Sequence, residues 1–94
     1  MLQVNKYFDG QVKSIALTNN EGSLTMGVMD VGEYTFSTSK DEEMTVVSGS
    51  LQVQLSGDPA LRTFNKGQSF NVPANSSFQV KVEEQSAYLC RYMD

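Results

Sequence analysis

An all-β barrel or sandwich is the fold this sequence predicts. Apolar side chains recur at every second residue, turn-forming clusters separate these windows at steady spacing, and no window sustains a helical period. Ile15 and Leu17 open the series, followed by Leu24, Met26 and Val28 beyond the turn cluster Asn19-Asn20-Glu21-Gly22. Tyr34 and Phe36 come after Val31-Gly32, and Met44 and Val46 follow a charged stretch that begins at Lys40. Gly49 separates Val46 from Leu51, Val53 and Leu55, and Ser56-Gly57-Asp58-Pro59 ends that window. Phe70 and Val72 lie between Lys66-Gly67 and Pro73-Ala74-Asn75; Phe78, Val80 and Val82 run up to Glu83-Glu84-Gln85. The windows at 50–55 and 77–82 put three apolar residues on one face and Gln or Lys on the other, the pattern of half-buried antiparallel strands. In the last window Tyr88, Cys90 and Tyr92 alternate with Ala87, Leu89, Arg91 and Met93, so this strand is expected to be covered on both sides, by the barrel and by a partner subunit. About eight short strands of this kind make a sandwich or barrel.

Composition bounds the chemistry. The chain has 94 residues, no histidine, no tryptophan, a single cysteine and a net charge of −4. A chain of this length closes one core, so residues 1–94 are read as one domain. Without histidine, catalytic triads, zincin motifs and histidine metal cages are excluded. Seven Lys and Arg against eleven Asp and Glu give no cationic footprint for a polyanion, so nucleic acid is not an expected partner. Cys90 alone closes no intramolecular disulfide, and Met1 to Phe8 lack the charged and apolar blocks of a signal peptide. The longest unbroken apolar run, Ala87 to Cys90, is far below the roughly 20 residues of a membrane helix. A cytoplasmic protein with no membrane partner is the expectation.

Two stretches, Gly32 to Gly49 and Gly67 to Phe78, resemble the paired signature motifs of the cupins, small jelly-roll barrels of two facing antiparallel sheets. In the first, Gly32, Thr38, Lys40, Glu42 and Gly49 fall at the places of glycine, two histidines, glutamate and closing glycine, with a shortened gap before the glutamate. In the second, Gly67, Pro73, Asn75 and Phe78 stand at the places of glycine, proline, glycine and a third histidine. Thr38, Lys40 and Phe78 thus replace all three histidines, and one remaining carboxylate does not hold a transition metal. The resemblance implies a cupin-type jelly roll and, through these departures, no metal site.

A second resemblance covers nearly the whole chain. Met1-Leu2-Gln3, Tyr7-Phe8, Val12 to Ile15, Gly32 to Thr38, Glu42 to Val46, Ser48-Gly49, Phe70 to Pro73 and Tyr88 to Tyr92 look like the small bacterial pyrimidine/purine nucleoside phosphorylase family. This implies a metal-free cupin enzyme, a homodimer, that cleaves purine and pyrimidine nucleosides with inorganic phosphate to free base and ribose 1-phosphate, with no cofactor.

Such a reaction passes through an oxocarbenium-like state, as glycoside hydrolysis does. The site must hold an anion, grip the ribose and stabilise the leaving base. For the anion, Arg91 is favoured over Arg62, because it interrupts an apolar strand where an unpaired cation is costly. The plain alternative is an arginine paired with a carboxylate in the barrel wall or at a subunit interface. Lys40 is the next candidate. Strand parity groups Tyr34, Phe36 and Thr38 on one face, and the cupin alignment turns that face, with Lys40 and Glu42, toward the cavity. Tyr34 and Phe36 would stack on a base or sugar, although core packing explains Phe36 equally. Glu42 is the expected carboxylate for the ribose hydroxyls, whereas Asp41 and Glu43 read as a solvated turn. Phe78 is expected to wall the base, Tyr88 and Tyr92 to offer hydroxyls, and Cys90 to be plain core. A rival reading is a cupin module that binds a small sugar or metabolite without catalysis.

Overall fold

The computed structural model describes residues 1–93, and ten strands account for most of them. In chain order they are β1 (Val4–Tyr7), β2 (Val12–Asn19), β3 (Gly22–Met29), β4 (Gly32–Ser37), β5 (Asp41–Ser48), β6 (Ser50–Leu55), β7 (Arg62–Asn65), β8 (Ser69–Val72), β9 (Ser77–Val82) and β10 (Ser86–Met93). They form two antiparallel sheets. The large one runs β1-β2-β3-β10-β5-β8 and the small one β4-β9-β6-β7. This is the all-β jelly roll expected. A single 3-10 turn, Phe8–Gly10, is the one helical element among the described residues, and no helix is long and apolar enough to cross a membrane.

Between the sheets lies one continuous core. Val12, Met29, Met44, Val46 and Cys90 come from the large sheet, and Tyr34, Leu51, Val53, Val80 and Val82 from the small one. Alternation puts Tyr34 and Phe36 on the core side, as the sequence predicts, and brings Phe36 against Phe78 across the β4–β9 pair.

Two strands not foreseen, β1 and β7, pair at the edges with β2 and β6. Neither has apolar residues at two alternate positions, which is what reveals the equally short β8. A larger correction concerns β2 and β3. The apolar sets Ile15/Leu17 and Met26/Val28 lie on the outside, and the core face of these strands carries Val12, Ser14, Thr25, Gly27 and Met29. Strand β10 follows the same rule, with Tyr88 and Cys90 buried and Ala87, Leu89 and Arg91 half-buried on the outer side.

The chain passes from the large sheet to the small one at Gly49, the single residue between β5 and β6. Its φ of +83° is a left-handed conformation. The Ser86 hydroxyl lies beneath this corner, accepting from the Ser50 amide at 3.1 Å and within bonding distance of the Ser50 and Glu84 carbonyls at 3.0 and 2.8 Å. A β-carbon on residue 49 would stand 2.3 Å from that oxygen. Gly49→Ala therefore meets both backbone strain and a clash. The expected cost is about 2 kcal/mol or more, read as a fall of roughly 8 °C or more in melting temperature. A variant that melts with the parent contradicts this account of the corner.

Candidate active site

One cavity of about 130 Å³ opens between the sheets, and its two walls differ in chemistry. The small sheet contributes Phe36, Ser37 and Phe78. Facing them, the large sheet contributes Tyr7, Ser14, Thr25, Glu42, Tyr88, Cys90 and Tyr92, with Met29 and Met44 filling between. An aromatic wall thus faces a wall of hydroxyls around one carboxyl.

The aromatic wall is a near-parallel pair. The rings of Phe36 and Phe78 are 5.4 Å apart, inclined at 26°, and belong to directly opposed residues of β4 and β9. Phe8 reinforces it from outside. Phe8 and Asp9 both have positive φ, 53° and 58°, uncommon for residues with a side chain. This break in alternation turns Phe8 onto Tyr34 and Phe36, at centroid distances of 5.0 and 5.5 Å, while the preceding residue, Tyr7, still lines the cavity.

On the polar wall, Glu42 stands opposite Tyr92 in the β5–β10 register, and the Cys90 thiol donates to its Oε1 at 3.4 Å. The Tyr92 and Thr25 hydroxyls are 3.4 Å apart. Burial pushes the Glu42 carboxyl above its ordinary range, and the thiol hydrogen bond offsets part of that rise. Burial, and after it the nearby Glu42, raises Cys90 to about 12, so its thiol stays protonated and acts as a donor, not a nucleophile. Tyr92 is likewise pushed up to about 12, chiefly by burial. Burial also raises Tyr88 strongly, so all three remain neutral at physiological pH.

Of the residues chosen from sequence, Glu42, Phe36, Phe78, Tyr88 and Tyr92 meet in this cavity. The other four do not. Tyr34 is buried, and its hydroxyl donates to the Asp30 carbonyl at 2.6 Å, so it supports Phe36 and Phe8 and does not face the cavity. Thr38 is committed to the Pro73–Ser76 loop, donating to the Pro73 carbonyl at 2.7 Å and accepting from the Ser76 amide at 3.0 Å. Lys40 is exposed in the turn between β4 and β5, outside the lining. Arg91 alternates with Cys90 and Tyr92 and so lies on the outer face, where its Nη2 meets Glu21 Oε1 at 3.0 Å and its Nε is buried without a hydrogen-bond partner among the described residues. The expectation that Arg91 serves the cavity is corrected by strand parity: it stands abreast of Glu43 and Leu24, away from the interior.

Sequence reasoning passed over Tyr7, Ser14, Thr25 and the two methionines, and took Cys90 for plain core. A usable signal was the polar residue at an inward position of β2 and β3, since a buried Ser or Thr needs a partner or a ligand. It was masked because the apolar residues of those strands point the other way.

Residues 2–92 match the family model described as pyrimidine/purine nucleoside phosphorylase. The chain belongs to this family. Relatives named pyrimidine/purine nucleoside phosphorylase include one from Pseudomonas putida, 56% identical over 94 residues with both chains fully covered. Another, from Yersinia enterocolitica, is 52% identical over 94 residues, covering 99% of each. Among solved structures, a protein of unknown function from Vibrio parahaemolyticus superposes with a TM-score of 0.95 at 43% identity, covering 99% of each chain. An RmlC-like cupin from Shewanella frigidimarina gives 0.74 at 20% identity, covering 95% of this chain and 80% of that one, and speaks to the fold alone. This protein is therefore an enzyme on a cupin fold, and the reading of a binding module without catalysis is set aside.

Glu42 also makes stability depend on pH. Its folded-state pKa is raised above the ordinary value of 4.5, so between the two values the native chain holds more protons than the unfolded one, and stability falls as pH rises through that window. Glu42→Gln removes this loss. Its melting temperature is expected to exceed the parent's at pH 8, with the gap closing toward pH 4. A gap that is constant or widens toward acid contradicts the assignment.

Proposed function

We propose that this enzyme splits purine and pyrimidine nucleosides with inorganic phosphate, releasing free base and ribose 1-phosphate. The observation that carries the reading is the two-sided cavity, with stacked Phe36 and Phe78 facing hydroxyls gathered around Glu42. Ring stacking is tolerant of base identity, which suits a reaction on both base classes. Across the cavity, vicinal ribose hydroxyls find acceptors in Glu42 and the tyrosine hydroxyls. In the reaction the C1′–N bond breaks, its electron pair leaves with the base, and a phosphate oxygen forms the new bond to C1′. Positive charge grows on the sugar in between, and the ionised Glu42 carboxylate stabilises it in a poorly solvated setting. The base takes up a proton as it departs; protonated phosphate or a hydroxyl of the polar wall supplies it.

Among the described residues the lining holds one carboxyl and no Lys or Arg, so phosphate has to be met at the rim. Lys40 lies in the short turn that joins Ser37 to the strand of Glu42, both lining residues, and we assign it that role in place of Arg91. No cofactor is needed, phosphate being a co-substrate, and the cytoplasm, which holds both substrates, is the compartment this reading implies.

The experiment is base release from uridine and adenosine with and without phosphate. Release is expected to require phosphate, and Glu42→Gln to lower kcat/KM by at least about tenfold. Lys40→Ala should raise the KM for phosphate by about tenfold with a smaller effect on the nucleoside. Release without phosphate, or none from either nucleoside, overturns the reading.

A homodimer completes the proposal. On the outer face of the large sheet, Ile15, Met26 and Leu89 form one cross-strand row, flanked by Val4 and Val28. Val4 and Val28 are each 53% exposed, Ile15 39% and Met26 41%. Lys13 and Glu43 border the strip with opposite charges, a self-complementary arrangement that a second copy can cover. Light scattering is expected to give twice the chain mass, and Met26→Lys the monomer. A monomeric parent overturns this assignment.

A further inference from the structure

One cross-strand row on the inner face of the large sheet joins Asn5, Ser14, Gly27, Tyr88 and Val46, each directly opposite the next. Gly27 is at its centre. It is buried in a regular strand, and its φ is not among the positive values, so backbone freedom does not explain a glycine here. Space does. A β-carbon at residue 27 would stand 2.3 Å from Tyr88 Cζ, 2.4 Å from its Oη and 2.5 Å from Cε1. The phenol end of Tyr88 therefore lies flat on the Gly27 backbone. It reaches across β3 toward Ser14 of β2. Asn5 approaches the same Ser14 hydroxyl at 3.4 Å.

We propose that Gly27 is a positioning residue of the nucleoside site: lacking a side chain, it seats the Tyr88 ring against the wall and sets the depth left between that ring and the Phe36–Phe78 pair. The inference rests on the nucleoside reading above. A methyl group at residue 27 cannot coexist with the ring at 2.3 Å, since ordinary contact begins near 3.4 Å. The ring must move by more than an ångström. Backbone motion is blocked, because β3 is paired on both sides, with β2 and with β10. The free direction is into the cavity. Because the clashing atoms are the far end of a rotatable side chain, the fold tolerates the change better than a bound ligand does. No other inward position of β3 has this relation, since Thr25 and Met29 fill their own sites.

The test measures the dissociation constants of uridine and adenosine by calorimetry without phosphate. The proteins are the parent, Gly27→Ala, Tyr88→Leu and the double variant, each with its melting temperature. Gly27→Ala is expected to weaken both nucleosides at least about tenfold with the fold retained. In the Tyr88→Leu background, with no ring to displace, the same glycine substitution should change affinity less than about twofold. Equal loss in both backgrounds, or no loss in the parent background, overturns the inference. If Gly27→Ala alone does not fold, the two proteins lacking the ring decide it: equal affinities support the inference and a tenfold difference overturns it. Turnover of the parent is followed in parallel, so a protein that binds nucleosides without cleaving them fails the proposed reaction and leaves the role of Gly27 standing or falling on affinity.

Discussion

The double pairing of β10, with β3 on one side and β5 on the other, is the constraint on which the rest of this structure depends. A central strand has no edge to leave open, so its two faces are fixed by the register of both neighbours. That register sends Tyr88, Cys90 and Tyr92 into the barrel and Ala87, Leu89 and Arg91 out of it. It also brings Glu42 and Thr25, from opposite sides, to the same stretch of β10. A slip by one residue would exchange the contents of the cavity with those of the outer surface. The irregularity in the β10–β5 ladder, at Ala87 and Tyr88, lies next to the corner where β5 ends and the chain leaves the large sheet, clear of the residues that face Glu42.

A small barrel has little interior to divide between packing and binding. Here the division runs along the strands. Toward one end, aliphatic residues such as Val46, Leu51, Val53, Val80 and Val82 close the space completely. Toward the other, hydroxyls and a carboxyl replace them on the large sheet while rings persist on the small one. The polar groups are held to one another, Cys90 to Glu42 and Tyr92 to Thr25, so the open end does not expose an unsatisfied wall when empty. Buried tyrosines that stay neutral and a thiol that stays protonated give this wall donors whose state does not change across the physiological range. The carboxyl beside them is the group whose charge responds.

Much of the fold was legible in the amino-acid order, and the reasons are local. The windows 50–55 and 77–82 alternate cleanly because one side meets the core and the other meets water. Strand parity turned Phe36 and Glu42 toward the cavity that they line, but it sent Tyr34 and Thr38 there too, and Phe78 was reached only through the resemblance to the cupin motif. Strands β2 and β3 misled, since their outward side chains are the apolar ones. Hydrophobicity does not say which face of a strand meets the core, and an apolar outer strip reads like an apolar inner one. Arg91 failed for a related reason. Its isolation in an apolar strand was real, but the apolar residues around it belong to the other side of the sheet or to the outer strip. Tyr7 and Phe8 were illegible because the conformation that brings both to one end breaks alternation, and nothing in their identity announces a left-handed backbone at phenylalanine.

That irregular backbone has a mechanical result. Tyr7 belongs to the wall of the cavity and Phe8 to the ring cluster behind it, and they are neighbours in the chain, joined through a backbone held away from its preferred conformation. A displacement of one is transmitted to the other through a single peptide unit, with no flexible loop to absorb it. Pressure on the Tyr7 side of the cavity is thus passed by Phe8 to the Tyr34 and Phe36 rings of the opposite sheet, and the two walls answer a load as one clamp.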